Sequence, residues 1–154
     1  MESDDRGEKG GRGHKVEEQL LEHIRESHRR LRSLLDALGN ARDPEAIRTA
    51  LTPLPELLSE HFSDEERPGG LFEGLREARP SIEPQLALLH AEHEKILEAL
   101  RVISLQLESG EATDRALEKL KDAASALITM LAEHEQGESK LTAEAYYSDD
   151  GGSG

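Results

Sequence analysis

Apolar residues recur along this chain at helical intervals, and four stretches carry the pattern. Leu20, Ile24, Leu31, Leu35 and Leu38 form the first stripe and predict a helix from Val16 to Gly39 and Asn40, residue types suited to a C-cap. Asp43 followed by Pro44 predicts the N-cap and first position of a second helix, whose stripe is Ile47, Leu51, Leu54 and Leu58. Pro53 and Pro55 interrupt it, so a kink or a restart near Pro55 is expected. Pro68, Gly69 and Gly70 end the restarted segment, and Leu71, Phe72 and Leu75 predict a short helical turn that caps one end of the core. A third helix is predicted from around Ser81 to Ser109, closed by Gly110, with Leu86, Leu89, Ile96, Leu100, Ile103 and Leu107 on its stripe. A fourth, capped by Thr113 or Asp114, carries Leu117, Leu120, Ala124, Leu127 and Leu131 and fades after Leu141. Four amphipathic helices with short connections predict an all-α fold, an up-down-up-down antiparallel four-helix bundle over residues 15–142. Residues 1–14, charged, glycine-rich and without periodicity, are expected as a disordered tail, and residues 143–154 as a flexible acidic, glycine-rich one.

Each stripe contains polar side chains where an apolar one would continue it. His28 follows Ile24 by four residues, and His93 lies between Leu89 and Ile96. His61 and Glu65 extend the second stripe, and His134 and Glu138 extend the fourth. Side chains four residues apart lie one turn apart on one helix face, so each His-x-x-x-Glu pair reaches a common point. At about 1.5 Å per residue, His28 lies about 20 Å and His61 about 30 Å from the first connection; His93 lies about 27 Å and His134 about 34 Å from the last. The four histidines therefore fall within about two to three turns of one level. Of the others, His14 belongs to the amino-terminal tail, His23 is rotated roughly 140° from His28, and His90 sits roughly 60° to one side of His93. His90 is a candidate fifth nitrogen ligand from a flanking position, and Glu66 an alternative to Glu65. Glu92 and Glu135 read as solvated-face residues, Gly137 either as a close backbone approach or as a surface glycine, and Tyr146 and Tyr147 as part of a frayed terminus.

Composition narrows the chemistry. The chain has no cysteine, which excludes disulfides, thiolate-bound zinc and cysteine nucleophiles and leaves its 7 histidines as the informative residues. Lys and Arg number 19 against 33 Asp and Glu, and the formal charge of -14 would repel phosphate backbones and anionic lipid, so neither nucleic acid nor membrane is an expected partner. No apolar run is long enough to cross a bilayer, and the amino terminus has no apolar core of a signal peptide; a cytoplasmic protein, monomeric or weakly dimeric, is expected.

A buried carboxylate beside an imidazole is costly unless a cation holds it. The inward set His28, His61, Glu65, His93, His134 and Glu138 would suit iron, manganese or zinc. Six donors exceed what one tetrahedral zinc requires, and two carboxylates able to bridge point to two metal ions, as in the di-iron and di-manganese centres built inside helical bundles.

In order along the chain these residues stand in Glu-Ser-His28-Arg-Arg-Leu, Glu-His61-Phe-Ser-Asp-Glu65-Glu, Ala-Glu-His93-Glu-Lys-Ile and Glu-His134-Glu-Gln-Gly-Glu138. From Val16 to Leu141 the chain resembles the hemerythrin-like, or HHE cation-binding, domains. The resemblance implies two non-haem iron ions that an oxo group can bridge, with Glu65 and Glu138 as bridging carboxylates and the histidines as terminal ligands. It also implies binding of dioxygen, nitric oxide or peroxide. Oxygen-carrying hemerythrins have a histidine four residues before the third-helix ligand, where this chain has Leu89. Their last acidic ligand is an Asp at a spacing of five, where this chain has Glu138 at four. The set is more similar to bacterial hemerythrin-like proteins linked to iron-centre repair, nitric oxide or peroxide handling, and sensing. The expected function is binding or sensing of such a ligand, with a peroxide- or nitric-oxide-consuming oxidoreductase and an iron-storage or structural bundle as alternatives.

Overall fold

The computed structural model describes residues 3–110 and 113–146, with side chains from residue 18 onward. Six α-helices follow one another: α1 Ser3–Asn40, α2 Pro44–Leu51, α3 Leu54–Glu66, α4 Leu71–Ala78, α5 Glu83–Glu108 and α6 Asp114–Tyr146, with a 3₁₀ turn at Pro80–Ile82 before α5. The chain is a four-helix bundle in which α2 and α3 together make the second rod. α1 packs against α2, α3 and α6, α5 against α3 and α6, and α4 closes one end against α3 and α6.

Local chemistry sets most of the boundaries. Asp43 caps α2 through a hydrogen bond that its Oδ1 accepts from Ala46 N at 2.9 Å. Pro53 and Pro55 lack the amide hydrogens that would carry α2 onward, so the rod breaks after Leu51 and restarts at Leu54. The predicted turn at Leu71, Phe72 and Leu75 is α4, and all three side chains are buried. Gly110 follows α5 with φ at 67°, the left-handed conformation that closes helices. Thr113 caps α6, its hydroxyl accepting from Ala116 N at 3.1 Å.

Both outer helices run past their expected ends. α1 starts at Ser3, ahead of the start expected near Val16. The side chain of His14 lies outside the described residues. α6 does not fade at Leu141 but runs to Tyr146, because α4 docks on it: Ala145 and Tyr146 pack against the cluster that holds Leu71, Phe72 and Leu75. Arg79 Nη1 also donates to Glu144 O at 2.9 Å, satisfying a carbonyl of that last turn. Tyr147 and residues 148–154 lie outside the described residues.

The apolar interior is divided in two. One cluster gathers Leu31, Leu35, Leu54, Leu58, Phe62, Ile96, Leu100, Leu127 and Leu131 with their neighbours; the other gathers Ile24, Leu71, Phe72, Leu75, Leu86, Leu89 and Leu141. On every rod the candidate ligands fall at the seam: His28 between Ile24 and Leu31, His61 and Glu65 between Leu58 and Leu71, His93 between Leu89 and Ile96, His134 and Glu138 between Leu131 and Leu141.

Leu127 is fully buried, so Leu127→Ala is expected to cost about 3 kcal/mol, and Asp43→Ala about 1 kcal/mol, in urea unfolding of the metal-free chain. A second expectation concerns the turn after α3. A Cβ on Gly70 would meet the carbonyl oxygens of Asp64 and Arg67, the latter at 2.7 Å, and backbone cannot give way as a flexible side chain can. Gly70→Ala should therefore lower the melting temperature clearly; an unchanged melt would mean that this turn does not hold the end of α3.

Candidate metal centre

The polar layer converges on two overlapping sets of donor atoms. Glu65, His93, His134 and Glu138 offer atoms that all lie within 4.8 Å of one another, and His28, His61 and Glu138 do the same. Glu138 belongs to both. Its Oε2 is 3.4 Å from His28 Nε2, while its Oε1 contacts His134 Nε2 and lies 4.0 Å from His93 Nε2. Glu65 Oε1 also spans the two sets, 3.4 Å from His61 Nε2 and 3.2 Å from His93 Nε2. The histidine rings pair across the layer, His28 against His61 and His93 against His134, each at 4.8 Å between centroids.

Burial is nearly complete. Glu65, Glu138, His61, His93 and His134 are each at most 2% exposed, and only His28, with 16% of its side chain accessible, reaches the surface. Beside it a cavity of about 180 Å³ opens between α1 and α6, lined by Ile24, Arg25, His28, Glu138, Ser139 and Thr142 among others.

The electrostatics are those of a cluster short of positive charge. Burial raises the Glu65 carboxyl well above the usual carboxylate range, and the neighbouring Glu138 adds to the shift. Burial pushes Glu138 the same way. The close approach of Glu65, His134, His28 and His93 to its carboxylate more than reverses it, and Glu138 lies well below its ordinary value. Desolvation lowers His61 to about 4, against the pull of Glu138. Burial works downward on His134 too, but its contacts with Glu138 and Glu92 leave it raised. Glu135, half-buried rather than on a solvated face, is raised by burial, and its Oε1 is enclosed without a hydrogen-bond partner among the described residues.

The inner atoms fit a bound cation. Nε2 of His28, His61, His93 and His134 and both oxygens of Glu65 and Glu138 are buried without hydrogen-bond partners among the described residues. Each such atom costs about 1 to 3 kcal/mol when left unsatisfied. They are lone-pair donors pointing at shared space, which a metal ion satisfies and a hydrogen-bonded apolar core does not.

Around this layer stands a second one. Nδ1 of His93 donates to Glu66 Oε1 at 2.5 Å, and Nδ1 of His134 donates to Glu92 Oε1 at 2.6 Å. Phe62 stacks on His93 at 3.8 Å and Phe72 stacks on it at 5.5 Å. Gly137 is packed rather than free: a Cβ there would stand 3.3 Å from Leu89 Cδ2.

Six residues singled out from sequence, His28, His61, Glu65, His93, His134 and Glu138, are brought together. His90 is not. It is exposed, with Nδ1 2.9 Å from Glu66 Oε1, and its flanking angle turns it toward the outer face of α5. Glu66 does not replace Glu65; it meets the outward nitrogen of His93. His23 pairs with the buried Asp64 at 2.8 Å, away from the inner atoms. The outer role of Glu92 was not anticipated, since its partner lies on another helix and no interval within α5 reports it.

A family model, the hemerythrin HHE cation binding domain, matches residues 19–145. Comparison with curated proteins gives no match, and comparison with solved structures gives none. The matched span takes in all four rods and every residue of the inner layer, and the chain belongs to the hemerythrin HHE cation-binding family.

Proposed function

We propose that this chain is a non-haem di-iron protein of the hemerythrin type that binds or senses dioxygen, nitric oxide or peroxide. The observation that carries the reading is the pair of donor sets sharing Glu138 beside a cavity of about 180 Å³ at His28. Two sets joined by one carboxylate suit two ions a bridging distance apart, and the imidazole and carboxylate donors suit iron. In this reading His28 and His61 would hold one ion and His93 and His134 the other, with Glu65 and Glu138 as carboxylate donors between them. The irons would supply redox chemistry and an open coordination position for a small ligand. The chain's own contribution is to fix the histidines, to keep water out of the layer and to admit small molecules past His28. The cavity suits a diatomic molecule or peroxide rather than an extended substrate. Among the described residues no helix is long and apolar enough to cross a membrane. A cytoplasmic location, a monomer or weak dimer, and no nucleic-acid partner complete the proposal.

Reconstitution with ferrous iron under nitrogen, followed by metal analysis and a near-ultraviolet spectrum, tests it. About two irons per chain with charge-transfer absorption would support the centre, and absence of stoichiometric metal would return the chain to a bundle without one. Steady turnover of added peroxide or nitric oxide would favour an enzyme over a binding or sensing protein. His61→Ala and His134→Ala should each lose at least one metal ion, whereas His23→Ala, whose partner is Asp64, should keep both. Unchanged metal content in the first two would remove the ligand assignment.

A further inference from the structure

The inward histidines differ at their outward nitrogens. Nδ1 of His93 and Nδ1 of His134 each donate to a carboxylate, Glu66 and Glu92 respectively. Nδ1 of His61 is buried with no hydrogen-bond partner among the described residues. His93 and His134 belong to one donor set and His61 to the other. An imidazole whose N–H is held by a carboxylate becomes a stronger base at its other nitrogen, takes on anionic character and is fixed in rotation. The set of Glu65, His93, His134 and Glu138 thus combines four inner donors with two carboxylates standing behind its histidines. His93 is further clamped between Phe62 and Phe72. Glu66 is itself steadied, since the same oxygen that accepts from His93 lies 2.9 Å from His90 Nδ1. The other set is His28, His61 and Glu138, with Glu65 Oε1 3.4 Å from its His61 Nε2, so the outer carboxylates rather than the number of inner donors distinguish the two; its His28 borders the cavity between α1 and α6.

Resting on the two-metal reading, we infer that the two positions hold metal unequally. Glu66 and Glu92 act through His93 and His134 as positioning residues that make theirs the tight position, suited to the more highly charged ion. The His28, His61 and Glu138 position takes a divalent cation that exchanges with solvent. Coulomb attraction gives the direction, because a trivalent ion gains more than a divalent one from each added negative charge. Second-layer partners of this kind alter metal affinity by about 10- to 100-fold, enough to separate two ions that share a ligand.

The test uses the full chain loaded anaerobically with ferrous iron and then exposed to a chelator in excess, with metal per chain followed over time. Two phases of equal amplitude are expected, one at least about ten times slower than the other. Glu66→Gln combined with Glu92→Gln keeps the side-chain shape and removes the charge. This double variant should speed the slow phase by about 10- to 100-fold, leave the fast phase as it was, and raise the reduction potential of the retained iron. His28→Ala should abolish the fast phase and keep one slowly released ion. A single phase for both ions would overturn the inference while leaving the two-metal reading in place. So would a slow phase and potential that do not move in the double variant. Failure of the unaltered chain to take up any metal would overturn the reading itself, and the inference with it.

Discussion

Two carboxylates and three imidazoles shut away from water at the middle of a bundle are the constraint on which the other features depend. An isolated buried carboxylate is disfavoured by several kcal/mol, and like charges side by side make matters worse. The two carboxyls respond in opposite directions: burial and its neighbour Glu138 hold Glu65 high in pKa, while Glu138, with imidazoles close about it, sits low. The inner nitrogen and oxygen atoms have no hydrogen-bond partner among the described residues all the same. A folded chain that tolerates this arrangement has a large favourable contribution in reserve for whatever cation enters it.

The surroundings read as support for that layer. Apolar clusters above and below it exclude water and fix the helix faces. The chain has only 2 phenylalanines, one from each cluster, and both lie against His93. The turn through Gly70 folds back so tightly on the carbonyls at the end of α3 that the last turn, which presents Glu65 and Glu66, is held from beyond its own end. Arg79 and the docked α4 do the same for the end of α6 beyond Glu138.

What the sequence could tell depended on the distance over which each feature is encoded. Stripe positions, proline breaks and the Asp43 cap are local, and the rods with their inward His and Glu residues follow from them. Contacts between helices are not local. Glu92 belongs to His134 across α5 and α6, forty-odd residues apart. Glu135 is half-buried because of its neighbours around the bundle, although its position between stripe residues suggests a wet face. Tyr146 is likewise drawn out of a polar-looking end by an apolar neighbour, α4, that no pattern within α6 reports.

The seam between the two apolar clusters also fixes axial register. Leucine-rich helices slide past one another easily, since one leucine replaces the next after a turn of about 5.4 Å. Here such a slip on any one rod would drive an imidazole or carboxylate into a wholly apolar block and bring a leucine into its place. A polar position of this sort specifies alignment in the way that a single buried polar residue sets the register of a coiled coil. The four rods are therefore locked at one height by the same atoms that face the centre, before any ion is bound.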